Sequence, residues 1–145
     1  MGFVLEVAYR HGLQARILRG VEDIDDFVAE LTEAGWEYTA ASVYAVEESS
    51  PEKPKHEMII GADKTTGYGA VRYAGNSGDS SDNAGEWFSV GDHVNPDGVE
   101  FAYFGTGHDF PNNSEVSIAV VKQAMAELKD SGGRRPACVT WQVWA

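Results

Sequence analysis

The sequence predicts an α+β domain, a mainly antiparallel sheet of about six to eight strands with two amphipathic helices packed on one face. Two stretches carry apolar residues at helical spacing. The other ordered stretches are rich in Val, Ile and aromatic residues and are joined by hairpin-type turns. Strict alternation of strand and helix, the mark of a doubly wound sheet, is absent. At 145 residues the chain is most economically a single domain, 1–145.

The elements follow in order. "FVLEVAY" (3–9) reads as a strand, punctuated by His11 and Gly12, and "LQARILR" (13–19) returns as its hairpin partner. In "VEDIDDFVAELTEAG" the period changes: Ile24, Phe27, Val28, Leu31 and Ala34 form one stripe of a helix. Glu22, Asp23, Asp25 and Asp26 suit the positive end of its macrodipole, and Gly35 is a natural stop. "YTAASVYAVE" (38–47) is a strand and "ESSPEKPKH" a polar loop. "EMIIGAD" and "YGAVRYA" flank "KTTG" as a hairpin. "GNSGDSSDNAG" (75–85), with no large apolar residue, reads as a mobile loop. "EWFSV" and "VEFAYFG" are strands around the turn-forming "GDHVNPDG". "YFGTGHDFPNNSEVS" (103–117) reads as a turn leading into the second helix. That helix has its stripe at Ile118, Val121, Met125 and Leu128, a cap at Ser114 or Ser117, and a stop at Gly132 and Gly133. "ACVTWQVW" closes the chain as a strand, with Cys138, Thr140, Gln142 and Trp144 on one face.

Charge narrows the function. The net charge is −12 and it is segregated. Ten carboxylates and no Lys or Arg lie between Arg19 and Lys53, and eight more, again without a cation, between Arg72 and Lys122. Such surfaces repel nucleic acid and anionic membranes, so no direct nucleic-acid or membrane partner is expected. They attract a basic protein. A plain solubility role accounts for the same charge. No apolar run reaches the roughly 20 residues that span a bilayer. No secretory signal is visible at the start, and the single Cys138 excludes an internal disulfide, so a cytoplasmic location is expected.

Catalytic signatures are weak. "GTG" completes neither dinucleotide nor phosphate-loop spacing. His108 and Asp109 are neighbours in sequence, and adjacent side chains rarely face each other as a relay requires. His11, His56, His93 and His108 are scattered, without metal-ligand spacing, so neither metal nor cofactor is expected. Cys138 reads as a packed apolar group, and no nucleophile elbow surrounds a serine. Glu100 within "GVEFAYF" alternates toward solvent. Four Trp and six Tyr exceed what a minimal core needs, and aromatics are enriched at interfaces. Trp36 is expected to fold back as a core staple. One of Trp87 and Phe88 is expected to face outward, and Trp141 and Trp144 to take opposite faces.

"LEVAYRHG", "DIDDFVAEL…AGW", "YFGTGHDFP", "VVKQAMAEL" and "GGRRPACVTWQ" together resemble the actinobacterial members of the immunity protein 1 family. The resemblance covers nearly the whole chain, with 48–57 and 75–86 as variable loops. Its most specific part is the ordered set Gly105, Pro111, the following helix, Gly133, Arg135, Pro136 and Trp141. It implies a non-enzymatic antidote that binds a cognate toxin domain of a polymorphic toxin system, a DNA or RNA deaminase by preference, and occludes its basic substrate cleft. The partner-binding residues it leaves to charge are Asp23, Asp26, Glu30 and Glu33 on the first helix, and Asp79, Asp82, Glu86 and Trp87 around the second acidic run. "GHDFP" and "GRRP" are expected to hold the fold, with Arg135 paired to a carboxylate near the second helix. The competing readings are a small hydrolase or transferase built from His108, Asp109 and Glu100 around the 103–111 turn, and a scaffold with an apolar cavity.

Overall fold

Alternation along the strands dictates the layers. In "EMIIGA" the side chains of Met58 and Ile60 go to one side of the sheet and those of Glu57 and Ile59 to the other. A computed structural model describes residues 2–49, 54–76 and 84–144. The elements are β1 (Phe3–Ala8), β2 (Arg16–Leu18), α1 (Val21–Glu33), β3 (Ala40–Glu47), β4 (Glu57–Ala62), β5 (Tyr68–Asn76), β6 (Ala84–Ser89), β7 (Val99–Tyr103), β8 (Thr106–Phe110), β9 (Val116–Ser117), α2 (Ile118–Ser131) and β10 (Trp141–Gln142). They form a ten-stranded sheet in the order β10-β6-β5-β4-β3-β1-β2, with β7, β8 and β9 paired off this path. The pairing is antiparallel except for one parallel step, Ala40 beside Tyr103.

Both helices lie on one face, as expected. Ile24, Phe27, Val28 and Leu31 of α1 and Val121, Ala124, Met125 and Leu128 of α2 bury their side chains against Leu5, Val7, Val43, Ala45, Met58, Ile60, Val71 and Tyr73. Each such large apolar side chain, fully buried, contributes about 1.5–3 kcal/mol. The Ser117 hydroxyl accepts from the Val120 N–H (3.2 Å) and starts α2. Gly132, left-handed at φ 72°, ends it. The Tyr73 hydroxyl, in the middle of the core, donates to the Gly133 carbonyl (2.6 Å) and so ties the chain after α2 to β5.

The other face holds the main departure from the sequence reading. Residues 106–110, expected within a turn, form β8, which pairs with β7 through a two-residue connection. Phe104 (φ 53°) and Gly105 (φ 81°) are both left-handed there, the geometry of a tight hairpin. A phenylalanine in that region is strained. Its ring packs on His11 and Tyr103, and its N–H donates to the Tyr9 carbonyl (3.2 Å). The hairpin lays Val99, Phe101 and Phe110 over Ala40, Ile59, Ala70 and Phe88, a second and smaller core. Gly61 is required at this contact, because a Cβ there would stand 2.4 Å from the Phe101 ring.

Four further expectations are corrected. Trp36 is 82% exposed rather than a staple. The turn closed by Tyr38 N–H on the Gly35 carbonyl carries it outward, and Tyr38 packs on Tyr9 and beneath Arg10 in its place. The last strand is only two residues long, so Cys138 lies in the turn before it. Arg135 stacks over Trp87 (4.6 Å) and Trp141 (5.9 Å) and pairs with no carboxylate among the described residues, and Glu127 accepts the N–H groups of Ala137 and Cys138. Trp87 and Phe88 take opposite faces, and both are covered. Trp144 is the outward member of the last tryptophan pair, its edge on Phe88.

Gly61→Ala is expected to destabilise the fold by about 1–3 kcal/mol through overpacking against Phe101, read as a lower urea midpoint. His56 supplies a pH signature. Its Nε2 accepts the Ala45 N–H (3.0 Å), its ring stacks on Tyr73, and burial holds its pKa below the ordinary 6.5. The unfolded chain therefore takes up the proton first, and this contribution to stability, full above about pH 6.5, is lost as pH falls below it. Urea melts at about pH 7.5 and 5.5 should show a larger acid loss for the wild type than for His56→Gln. An equal loss in both would remove His56 as the cause.

Candidate functional site

Among the described residues, carboxylates of the two acidic stretches reach opposite sides of the sheet, on α1 for the first and at Glu86, Glu100 and Asp109 for the second. The first makes the outer surface of α1. Asp23 turns back to accept the Arg19 N–H (2.8 Å), Glu30 pairs with Arg16 and accepts from the Tyr9 hydroxyl (2.9 Å), and Glu33 pairs with Lys64. Asp25 meets Lys122 at 3.3 Å. Among the described residues no cation pairs with Glu22 or Asp26. Exposed pairs of this kind contribute about 0–1 kcal/mol each, so they trim the negative field of the helix without cancelling it.

The second surface is built by the strands. On the face opposite the helices, Glu6, Tyr44, Glu57, Arg72 and Glu86 stand on β1, β3, β4, β5 and β6. Glu6 lies directly across from Tyr44, and Glu57 and Glu86 both flank Arg72 diagonally. The Tyr44 hydroxyl donates to Glu57 (2.6 Å), and Arg72 reaches Glu57 (3.3 Å) on one side and pairs with Glu86 on the other. Burial first, then the bond and charge of Glu57, raise the Tyr44 pKa, so that hydroxyl stays protonated. Where this row meets the β7–β8 hairpin the surface sinks into a cleft of about 380 Å³. Ile59, Phe88 and Phe110 form its apolar part, and Tyr103, His108 and Asp109 the hairpin wall.

On the outer side of the hairpin Glu100 sits directly opposite Asp109, and the Glu100 side chain lies across Gly107. Like charges in register destabilise a pair of strands. Among the described residues no cation joins them.

Of the sequence-predicted residues, Asp23, Asp26, Glu30 and Glu33 thus share the helix surface, and Glu86 lies across the sheet from them. Trp87 points to the helix side, its ring under Arg135. Asp79 and Asp82 lie outside the described residues. His108 and Asp109 diverge to opposite sides of β8, so they do not make a relay. Among the described residues no three His, Cys, Asp or Glu side chains converge as a metal site would need. Burial, reinforced by Glu127, pushes the Cys138 thiol up to about 11, which leaves it unreactive near neutrality. Sequence reasoning passed over Glu57, Arg72 and Tyr44, whose signal was the period-2 placement of polar residues on otherwise apolar strands. It also passed over Glu115, buried and held by His93 (3.0 Å) and Asn95 (3.4 Å), which fixes the 90–98 loop to the chain before α2.

The family model described as immunity protein Imm1 matches residues 14–143. The chain belongs to the Imm1 immunity protein family. A search of curated proteins finds no match. As an Imm1 protein the chain has a toxin-immunity role, which implies a cognate toxin as partner. None of the described helices is long and apolar enough to cross a membrane.

Replacing Glu100 by Lys converts a like-charge pair into an attractive one. The variant is expected to gain about 0.2–1 kcal/mol, measured as a raised urea midpoint with unchanged slope. A loss of stability would show that Glu100 has a structural partner after all.

Proposed function

We propose that this Imm1 protein acts as a non-enzymatic antidote in the bacterial cytoplasm, binding the basic substrate cleft of a cognate toxin domain and shutting its substrate out. The toxin class that fits best is a nucleic-acid deaminase. Enzymes that hold a polyanion line their clefts with Lys and Arg, and a protein bearing dense carboxylates on two faces is complementary to such a cleft. The observation that carries the reading is the family match, joined to the segregation of 18 of the 23 carboxylates into two runs without a single Lys or Arg.

The two surfaces have different parts in this reading. Asp23, Asp26, Glu30 and Glu33 on α1 supply a field that draws the toxin in. Glu86 belongs to the contact, Trp87 supports the strand that carries it, and Asp79 and Asp82, on the segment between β5 and β6, extend the same acidic run. Steering of this kind raises association rates and fades with salt.

Tagged protein should capture one basic polypeptide from the native lysate and release it as salt rises. The purified toxin domain should then lose its deamination of single-stranded nucleic acid at a 1:1 ratio. Asp26→Lys is expected to slow association about threefold to tenfold at low salt while leaving dissociation nearly unchanged. Full toxin activity at a tenfold excess of the protein would sink the antidote reading. Inhibition of a toxin with another chemistry would replace the deaminase alone.

A further inference from the structure

The outer sheet face has a geometry that a general negative field does not require. The hairpin covers only part of it, and beside the hairpin a polar row crosses five strands, from Glu6 on β1 to Glu86 on β6. With neighbouring strands about 4.8 Å apart, the row is about 19 Å long. Counting Glu100 and Asp109 on the hairpin, five carboxylates face this side with Arg72 as their one cation partner among the described residues. Glu6, Glu57 and Glu86 are spread along a line rather than gathered around a point. That suits several cations carried on a peptide and does not suit one ion.

We infer that this half-covered face is the contact surface for the toxin, and that a basic segment of it seats an arginine in the cleft between the β7–β8 hairpin and the Glu57–Arg72–Glu86 row. The inference rests on the antidote reading above and assigns its interface. A guanidinium is the side chain the cleft is shaped for. Its plane stacks on an aromatic ring, which Tyr103 offers at the wall, and its fork of N–H groups matches carboxylates, which Glu86 and Asp109 present on either side. Ile59, Phe88 and Phe110 exclude water beneath it, which strengthens each of these contacts. Further Lys or Arg residues of the segment then follow the row toward Glu57 and Glu6 and relieve the Glu100–Asp109 repulsion. The preset pairs, Tyr44 on Glu57 and Arg72 on Glu57 and Glu86, hold the carboxylates in place before the partner arrives, so little side-chain order has to be created on binding.

The test is calorimetric titration of the cognate toxin domain, inactivated at its catalytic residue, into the full chain at fixed salt. Glu86→Gln and Asp109→Asn are the cleft variants, and Asp130→Lys, exposed at the far end of α2, changes net charge by the same amount as the pair and is the control. The double cleft variant should bind on the order of 100-fold more weakly, and the control within about threefold of wild type. Hydrogen exchange of the wild-type complex should show new protection in 99–110 and at 86–88, which decides the matter even if a variant folds poorly. Equal losses in cleft and control variants would reduce the effect to net charge and overturn the assignment. Wild-type binding with neither loss nor protection would overturn it too, leaving the antidote reading standing. No wild-type binding would overturn both.

Discussion

The outer half of this protein depends on the contact between Phe101 and Gly61. A sheet with apolar residues on both faces needs two covers. The helices supply the first, and the second is a hairpin only five residues long on each side. So short a ribbon has little area to bury, and it stays in place because a glycine lets the Phe101 ring come within contact of the β4 backbone. Phe110 then packs edge-on against both Phe101 and Phe88. From this one approach follow the small second core, the strained Phe104 tip locked to Tyr9, and the cleft that remains where the hairpin stops.

Charge is organised by the same division. The α1 carboxylates project from the layer that covers the inner face, and their own cations, Arg16, Lys64 and Lys122, come from β2, from the turn after β4 and from α2. These pairs are exposed and screened, so they act as a diffuse field. The strand-borne acids are different. Glu57 is half-buried and Glu86 exposed, and both are hydrogen-bonded into one framework with Tyr44 and Arg72, a setting in which these two charges are fixed in position and a matching cation gains more. Range thus separates the two surfaces: one influences approach, the other contact.

Helical structure was legible because both helices obey local rules. The stripe of α1 and the stop at Gly35, and the Ser117 cap and Gly132 end of α2, are all written within a few residues. What escaped was set by distant residues. "TGHDF" reads as turn chemistry because Gly105 and Gly107 break the strand signal, and only pairing with β7 makes it a strand. The two-residue strands β9 and β10 exist by virtue of β5 and β6 and have no pattern of their own. Trp36 looked like core by its size, but the turn after Gly35 gives the inward place to Tyr38. Family membership was readable from quoted motifs, whereas the cleft was not, since Glu57, Arg72 and Glu86 are separated by loops and meet only through sheet register.

A fold under selection for stability alone would not keep Glu100 opposite Asp109, nor leave a polar row half exposed beside an apolar floor. The like-charge pair lowers the stability of the free chain by a few tenths of a kcal/mol, and neither feature adds to the core. Such departures from local consistency are expected where a surface must serve a second body. In an antidote the relevant state is the complex, and there the signs reverse: the repulsion that weakens the free hairpin becomes attraction for a cation placed between the two strands. The strain at Phe104 fits the same logic, because a hairpin pinned at its tip presents Tyr103, His108 and Asp109 in a fixed position instead of adjusting after contact. Stability given up in the free protein is thereby returned as rigidity and charge at the surface where the toxin would sit.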